Sequence, residues 1–112
     1  MNYWNYLVVL RPTRIGMLSE GPTQEELEAV NGHFAYCTSM VKAGKMLLAG
    51  RTQGEAEKTI GIGIFHADSM EEAQEMMRND PSIIANIMTA DVQPYRVALL
   101  SENPHNTDHE LN

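Results

Sequence analysis

His33 and Asp80 are the two residues of this 112-residue chain whose types and positions best suit the movement of a proton. Histidine titrates near neutral pH and can give or take a proton, while an aspartate behind it can fix its tautomer and stabilise the imidazolium. His33 stands beside an apolar helical stripe, and Asp80 falls in phase with Ala73, Met76 and Met77, so its carboxylate is expected to point inward. Each residue also has a plainer reading. The His33 ring could pack half-buried with a nitrogen bonded to backbone. Asp80 precedes Pro81 as a helix N-cap does, with Ser82 and Ile83 offering the free amides.

Other side chains carry weaker signals. His66 continues a strand face formed by Ile60, Ile62 and Ile64, which places it at a sheet rim or under a helix. Arg11 and Arg96 end or interrupt apolar strands, where a guanidinium could clamp a carboxylate or serve as a rim charge. Tyr6, Tyr36 and Tyr95 could donate to a phenol or carbonyl, although aromatic packing is the commoner fate of such residues. Cys37 lies on the stripe expected to be buried, with no cation evident nearby, and reads as packing rather than as a nucleophile. His105, Asp108 and His109 have ligand types, but a polar tail does not hold three or four ligands in place, so no metal site is expected. Phosphate loops, CxxC pairs, HExxH and GxSxG are absent from the sequence.

The elements that must position these residues are legible from periodicity. Residues 3–11 are rich in aromatic and β-branched types and end at Pro12, as a strand does. A loop with two prolines and two glycines follows, and Thr23 with Glu26 has the form of a capping box, so a helix should begin near Gln24. Leu27, Val30, Phe34, Cys37 and Val41 make its expected buried stripe, beside a parallel row of Ala29, His33, Tyr36 and Met40; Gly44 ends it. Residues 45–52 read as a second strand and residues 59–67, where Ile60, Ile62, Ile64 and His66 alternate with Gly61, Gly63 and Phe65, as a third. Ser69 and Glu72 open a second helix, interrupted at Asp80-Pro81, after which a helical turn should run through residues 82–89. The last strand is expected at about 91–100, with Pro94 suiting an edge position.

That order, strand, helix, strand, strand, helix, strand, favours an α+β ferredoxin-like βαββαβ domain over residues 1–100, followed by a polar tail over 101–112. Two helices can cover only one face of the sheet. Yet both parities of the strands are apolar: Trp4, Tyr6, Val8 and Leu10 alternate with Leu7 and Val9, and Met46 and Leu48 with Leu47 and Ala49. A sheet with one wet face shows polar residues at alternate positions. The second face is therefore expected to pack on another copy of the chain. A formal charge of −7 argues against nucleic acid and anionic membranes as partners. A single cysteine and the lack of a signal or membrane segment point to the cytoplasm.

The passages HFAYCTSMVKAGKMLLAGR, GIGIFHADSMEEAQEMMRNDP and VQPYRVALL, in this order and spacing, resemble the YCII-related family over roughly residues 5–100. The resemblance implies a dimeric α/β barrel of two ferredoxin-like units. It also implies a cleft lined by the helix histidine and the Asp-Pro aspartate, which match His33 and Asp80. The chain departs from the family pattern at Arg51, which stands where proline is usual and could favour an anionic ligand or be a solvated turn residue. The expected function is a cofactor-independent enzyme that acts on a small aromatic or carbonyl molecule by histidine-based proton transfer. His33 and Asp80 would be catalytic, and Arg51, Tyr36, Arg11 and His66 would line the ligand. The alternative is a dimeric module that binds a small ligand or a partner without chemistry. A haem-degrading or monooxygenase activity would require a much larger cavity. Assembly beyond the dimer is left open.

Overall fold

A computed structural model of the chain describes residues 4–102. Most of the expected polar tail, with His105, Asp108 and His109, lies outside the described residues. The first strand, β1 (Trp4–Pro12), is followed by a four-residue helix, α1 (Gly16–Ser19), and the long helix α2 (Gln24–Lys42). Strands β2 (Met46–Arg51) and β3 (Gly61–Phe65) come next, then α3 (Met70–Arg78), the single-turn α4 (Pro81–Ile84) and β4 (Met88–Arg96). All strand pairs are antiparallel in the order β2-β3-β1-β4, the ferredoxin-like arrangement expected from the element sequence. β4 is an edge strand, and Pro94 therefore sits where a missing donor does least harm.

The capping box at the start of α2 forms as expected. Thr23 Oγ1 accepts from the Glu26 amide at 3.1 Å, and the Glu26 carboxylate accepts from the Thr23 amide at 2.8 Å. The same carboxylate takes two hydrogen bonds from Arg14, at 2.8 and 2.7 Å, and these hold its pKa down at about 2. This clamp explains why the segment before α2 is not a featureless loop. With Arg14 anchored to α2 and to the Gly21 carbonyl, Met17 is buried and the chain closes into α1.

Two boundaries differ from the sequence reading. The turn after Asp80 stops at Ile84, because Asn86 adopts a left-handed φ of 58° and its amide caps the Ile83 carbonyl. β4 then begins at Met88 rather than near residue 91, since all nine residues of β1 find partners along it, from Trp4 opposite Arg96 to Pro12 opposite Met88.

The register decides which side of the sheet each residue serves. Tyr6, Val8 and Leu10 stand opposite Phe65, Gly63 and Gly61, and this face packs with Cys37 and Met40 of α2 and Ala73 and Met77 of α3 in one core cluster. Leu7 opposite Ile64 and Val9 opposite Ile62 belong to the other face, where Leu48 of β2 joins them. No helix covers that face among the described residues, and Leu48 is half exposed.

Helix α2 is rotated relative to the expectation. Its buried residues are Glu26, Ala29, Cys37 and Met40, so Cys37 of the expected stripe is buried together with Ala29 and Met40 of the row beside it. Leu27, Phe34 and Val41 are exposed at 43%, 73% and 46%. The unbranched side chains of Cys37 and Met40 pack with Val8, Leu10 and Phe65 of the sheet in the core cluster.

Phe65 is fully buried at the centre of this cluster, with its ring 6.1 Å from that of Tyr6. Phe65→Ala is expected to lower the unfolding free energy by about 3–5 kcal/mol in urea titrations. A loss below about 1 kcal/mol would contradict this placement of the core.

Candidate functional site

Asp80 is the N-cap of α4, and its geometry follows from the Asp-Pro dipeptide. Proline excludes the α conformation from the preceding residue, leaving Asp80 extended at φ −67°, ψ 127°, with its side chain folded over the new helix. Oδ1 accepts from the Ser82 amide and from Ser82 Oγ, both at 2.8 Å. The Ile83 amide, expected to be a second cap donor, bonds to the Asp80 carbonyl instead. Oδ2 is thus free of the helix and meets His33 Nδ1 at 2.6 Å. The capping and pairing readings of Asp80 therefore hold together.

The contact depends on a close approach of two helices. Gly32 of α2 faces Pro81 of α4, and a Cβ at position 32 would stand 3.0 Å from the Pro81 Cβ. Glycine beside His33 and proline beside Asp80 thus let α4 press onto α2 and bring the two functional side chains together.

Asp80 is 1% exposed and His33 20% exposed, so the pair is nearly sealed with one side of the imidazole open. Burial pushes the Asp80 carboxyl upward, but the hydrogen bonds from His33 and Ser82 and the nearby imidazolium outweigh it and leave the pKa below the usual value. The hydrogen bond to Asp80, then the contact with Cys37, raises the His33 pKa to about 10 against the opposing effect of burial. At neutral pH the pair is an imidazolium and a carboxylate. Tyr36 flanks it, donating from its hydroxyl to the Met76 carbonyl at 2.6 Å, and burial raises its pKa.

Cys37, one turn along α2, places Sγ 3.9 Å from Nδ1 and 3.8 Å from Nε2 of His33. The cation that the sequence reading found missing around this thiol is His33 itself. Sγ, the imidazole and the Asp80 carboxylate lie within 4.8 Å of one another and are metal-ligand types. However, two ligands of one zinc ion stand about 3.3 Å apart, as its ~2 Å bonds and tetrahedral angles require. Nδ1 and Oδ2 at 2.6 Å are spaced as partners sharing a proton instead.

A model of the YCII-related domain matches residues 6–94. The chain belongs to the YCII-related family. Among solved structures, this family member is similar to 5-chloro-2-hydroxyhydroquinone dehydrochlorinase from Burkholderia phenoliruptrix AC1100, in complex with 2,5-dihydroxybenzoquinone. The TM-score is 0.58 at 22% identity, covering 81% of this chain and 93% of that one, which shows a shared fold. No curated protein matches the sequence significantly.

In this YCII-related chain the structure unites His33, Asp80 and Tyr36 but not the other residues singled out from sequence. Arg51 lines a separate open groove with Leu18, Thr52, Gln53, Gly54, Ala56 and Thr59. Arg11 is exposed at the end of β1, opposite Thr89. His66 is exposed just beyond β3 with Nε2 3.5 Å from Asp68. Ser82 and Cys37 join the site without having been assigned to it. The signals were the Asp-Pro-Ser capping sequence and the four-residue spacing of His33 and Cys37 on one helix. No helix among the described residues is long and apolar enough to cross a membrane.

The ion pair predicts a titration. His33 should remain protonated through neutral pH, and its ring resonances should shift with a midpoint near 10 in an NMR titration. Asp80→Asn keeps a capping side chain, so the fold should survive while the midpoint returns toward about 6.5. The His33 contribution to stability is complete below pH ~6.5 and disappears as pH rises toward 10; that of Asp80 is present above pH ~4 and disappears on acidification. The stability advantage over Asp80→Asn should therefore peak between about pH 4 and 6.5. A wild-type midpoint near 6.5 would overturn the pairing.

Proposed function

We propose that this YCII-related protein is a cofactor-independent enzyme in which His33 passes a proton to or from a small aromatic or carbonyl compound while Asp80 orients the ring. The observation that carries this reading is the 2.6 Å contact of Nδ1 with a carboxylate sealed from water, whose second oxygen is already occupied by Ser82. An ionised carboxylate only accepts, so Nδ1 carries a proton in either charge state of the ring, and Nε2 is the nitrogen left to serve a ligand. Because the resting ring is protonated at neutral pH, the first step is donation from Nε2 to an oxygen or carbon that is gaining electron density. The neutral ring that remains is held in one tautomer by Asp80 and can take the proton back.

The structural neighbour that processes a chlorinated hydroquinone supports a phenolic or quinonoid substrate class, in which proton movement and tautomer exchange are the central events. The same reading places two copies together through the sheet face formed by Leu7, Val9, Leu48, Ile62 and Ile64, within a reducing cytoplasm where the buried Cys37 stays a thiol. One observation favours the alternative, a binding module without chemistry. The grooves of the single chain, one along Ser69, Glu71, Glu72, Glu75 and Arg78 and the other around Arg51, contain neither His33 nor Asp80.

Turnover separates the two readings. With chlorinated hydroquinones and hydroxyquinones as probes, His33→Ala should reduce kcat by about 100- to 10,000-fold with the fold intact by circular dichroism. Wild type should also lose activity as pH rises toward 10, when the ring gives up its second proton. Equal rates for wild type and variant on any turned-over compound would remove His33 from the chemistry.

The pairing of copies has its own measurement. An aspartate at Ile62 would place a charge in the shared apolar face, and Ile62→Asp should halve the molar mass seen by light scattering at micromolar concentration. A mass insensitive to this change would show that the sheet face is not an interface.

A further inference from the structure

Capping α4 needs only the backbone amide of Ser82, yet the side chain of the same residue is also turned onto Asp80. Oδ1 accepts from the Ser82 amide and from Ser82 Oγ, both at 2.8 Å. The amide bond would be made by any residue except proline, whereas the hydroxyl bond is peculiar to this side chain. An ionised carboxylate has no proton to give, so the hydroxyl is the donor. Ser82 is fully buried and Asp80 nearly so, which shields the contact from bulk solvent. On the other side of the carboxylate, Oδ2 holds His33 Nδ1 at 2.6 Å. Ser82, Asp80 and His33 thus form one chain of polar groups with a donor on each carboxylate oxygen. Hydrogen bonds to the charged form of a carboxylate stabilise it, and charge drawn toward Oδ1 is charge that Oδ2 no longer presents to the imidazolium.

We propose that Ser82 is a positioning residue of the dyad, whose hydroxyl draws charge to Oδ1 and so eases release of the proton that His33 carries on Nε2. Its bond is to Asp80, and it acts on the ring through that carboxylate. The dyad has a use for such a device. Asp80 raises the His33 pKa to about 10, which suits an ion pair better than a group that must give up a proton near neutrality. A donor behind the carboxylate limits that rise without breaking the pair. The role in turnover rests on the proton-transfer reading of His33, whereas the effect on its titration does not.

The other titratable groups near the dyad are engaged in different ways. Cys37 and Tyr36 approach from α2, with the thiol 3.8 Å from Nε2 and the phenol bonded to the Met76 carbonyl. Glu26, also on α2, is neutralised in its clamp with Arg14. On α3, Arg78 and Glu75 pair with each other at the surface. On β4, Asp91 stands opposite Val9 and belongs to the open face, across the sheet from α2.

The test is an NMR titration of the His33 ring in Ser82→Ala, in the otherwise unchanged chain and again with Asp80→Asn present. The amide of residue 82 still caps α4 in this variant, so the circular dichroism spectrum should be unchanged. With the hydroxyl gone, the midpoint should rise from about 10 by about 0.5–1 pH unit, which is about a three- to tenfold gain in proton affinity. With Asp80→Asn present, the same substitution should leave the midpoint where it is, because no anion remains to carry the effect. Ser82→Thr restores a hydroxyl on the same Cβ and should return the wild-type midpoint. A serine that only caps or fills space would change the melting temperature of Ser82→Ala and leave its midpoint near 10. That result, a downward shift, or an equal shift in both backgrounds would overturn the proposal. On a compound that wild type turns over, Ser82→Ala should lower kcat by about two- to tenfold with KM unchanged. A raised midpoint with kcat unchanged would uphold the tuning and count against His33 as the proton donor.

Discussion

A carboxylate removed from water must be paired, and the placement of Asp80 organises the packing of α4 against α2. Burying an unpaired charge costs several kcal/mol even after relaxation. Asp80 avoids that cost by dividing its acceptor capacity. Oδ1 is satisfied within its own helical turn by Ser82, and Oδ2 is satisfied by the imidazole of α2. One residue therefore both starts α4 and ties it to the longest helix. Replacing either partner would strand a charge, so the helices and the ionisation states are coupled. The raised proton affinity of His33 follows from the same constraint, because the ring is the cation that pairs with a nearly sealed anion.

The surrounding fold supplies the rigidity this pairing requires. A four-stranded sheet fixes α2 through Cys37 and Met40, and the Arg14–Glu26 clamp holds the start of the same helix. The close approach of Gly32 and Pro81 then sets the distance across which the carboxylate reaches the imidazole. Each contact is ordinary by itself. Together they hold the imidazole against the carboxylate.

The two apolar surfaces left open by this arrangement have a common cause. A small domain with two layers has more apolar residues than one interior can hold. The sheet has helices on one side only, and α2 has the sheet on one side only. On the sheet these are Leu7, Val9, Leu48, Ile62 and Ile64, and on α2 they are Leu27, Phe34 and Val41.

Local information determined the parts that short-range physics controls. Alternation along residues 59–67, the Thr23 and Glu26 capping box, the Asp80-Pro81 break and the edge position of Pro94 could all be read from neighbours in sequence, and with them the βαββαβ order; His33 and Asp80 stood out as candidates, each with a packing or capping reading beside it. Tertiary structure alone decided which face of α2 turns inward. Two apolar rows of similar strength ran along that helix, and the choice of Cys37 and Met40 over Leu27 and Phe34 depended on the space beside Val8 and Phe65, which no periodicity contains. The start of β4 was likewise set by the length of its partner β1 and by the left-handed turn at Asn86. The contact of Cys37 with His33 was also beyond reach of the sequence pattern. Whether the Asp80 carboxylate would only cap its helix or also reach an imidazole 47 residues away was likewise settled by tertiary structure, because a contact of 2.6 Å exists only after the layers have packed.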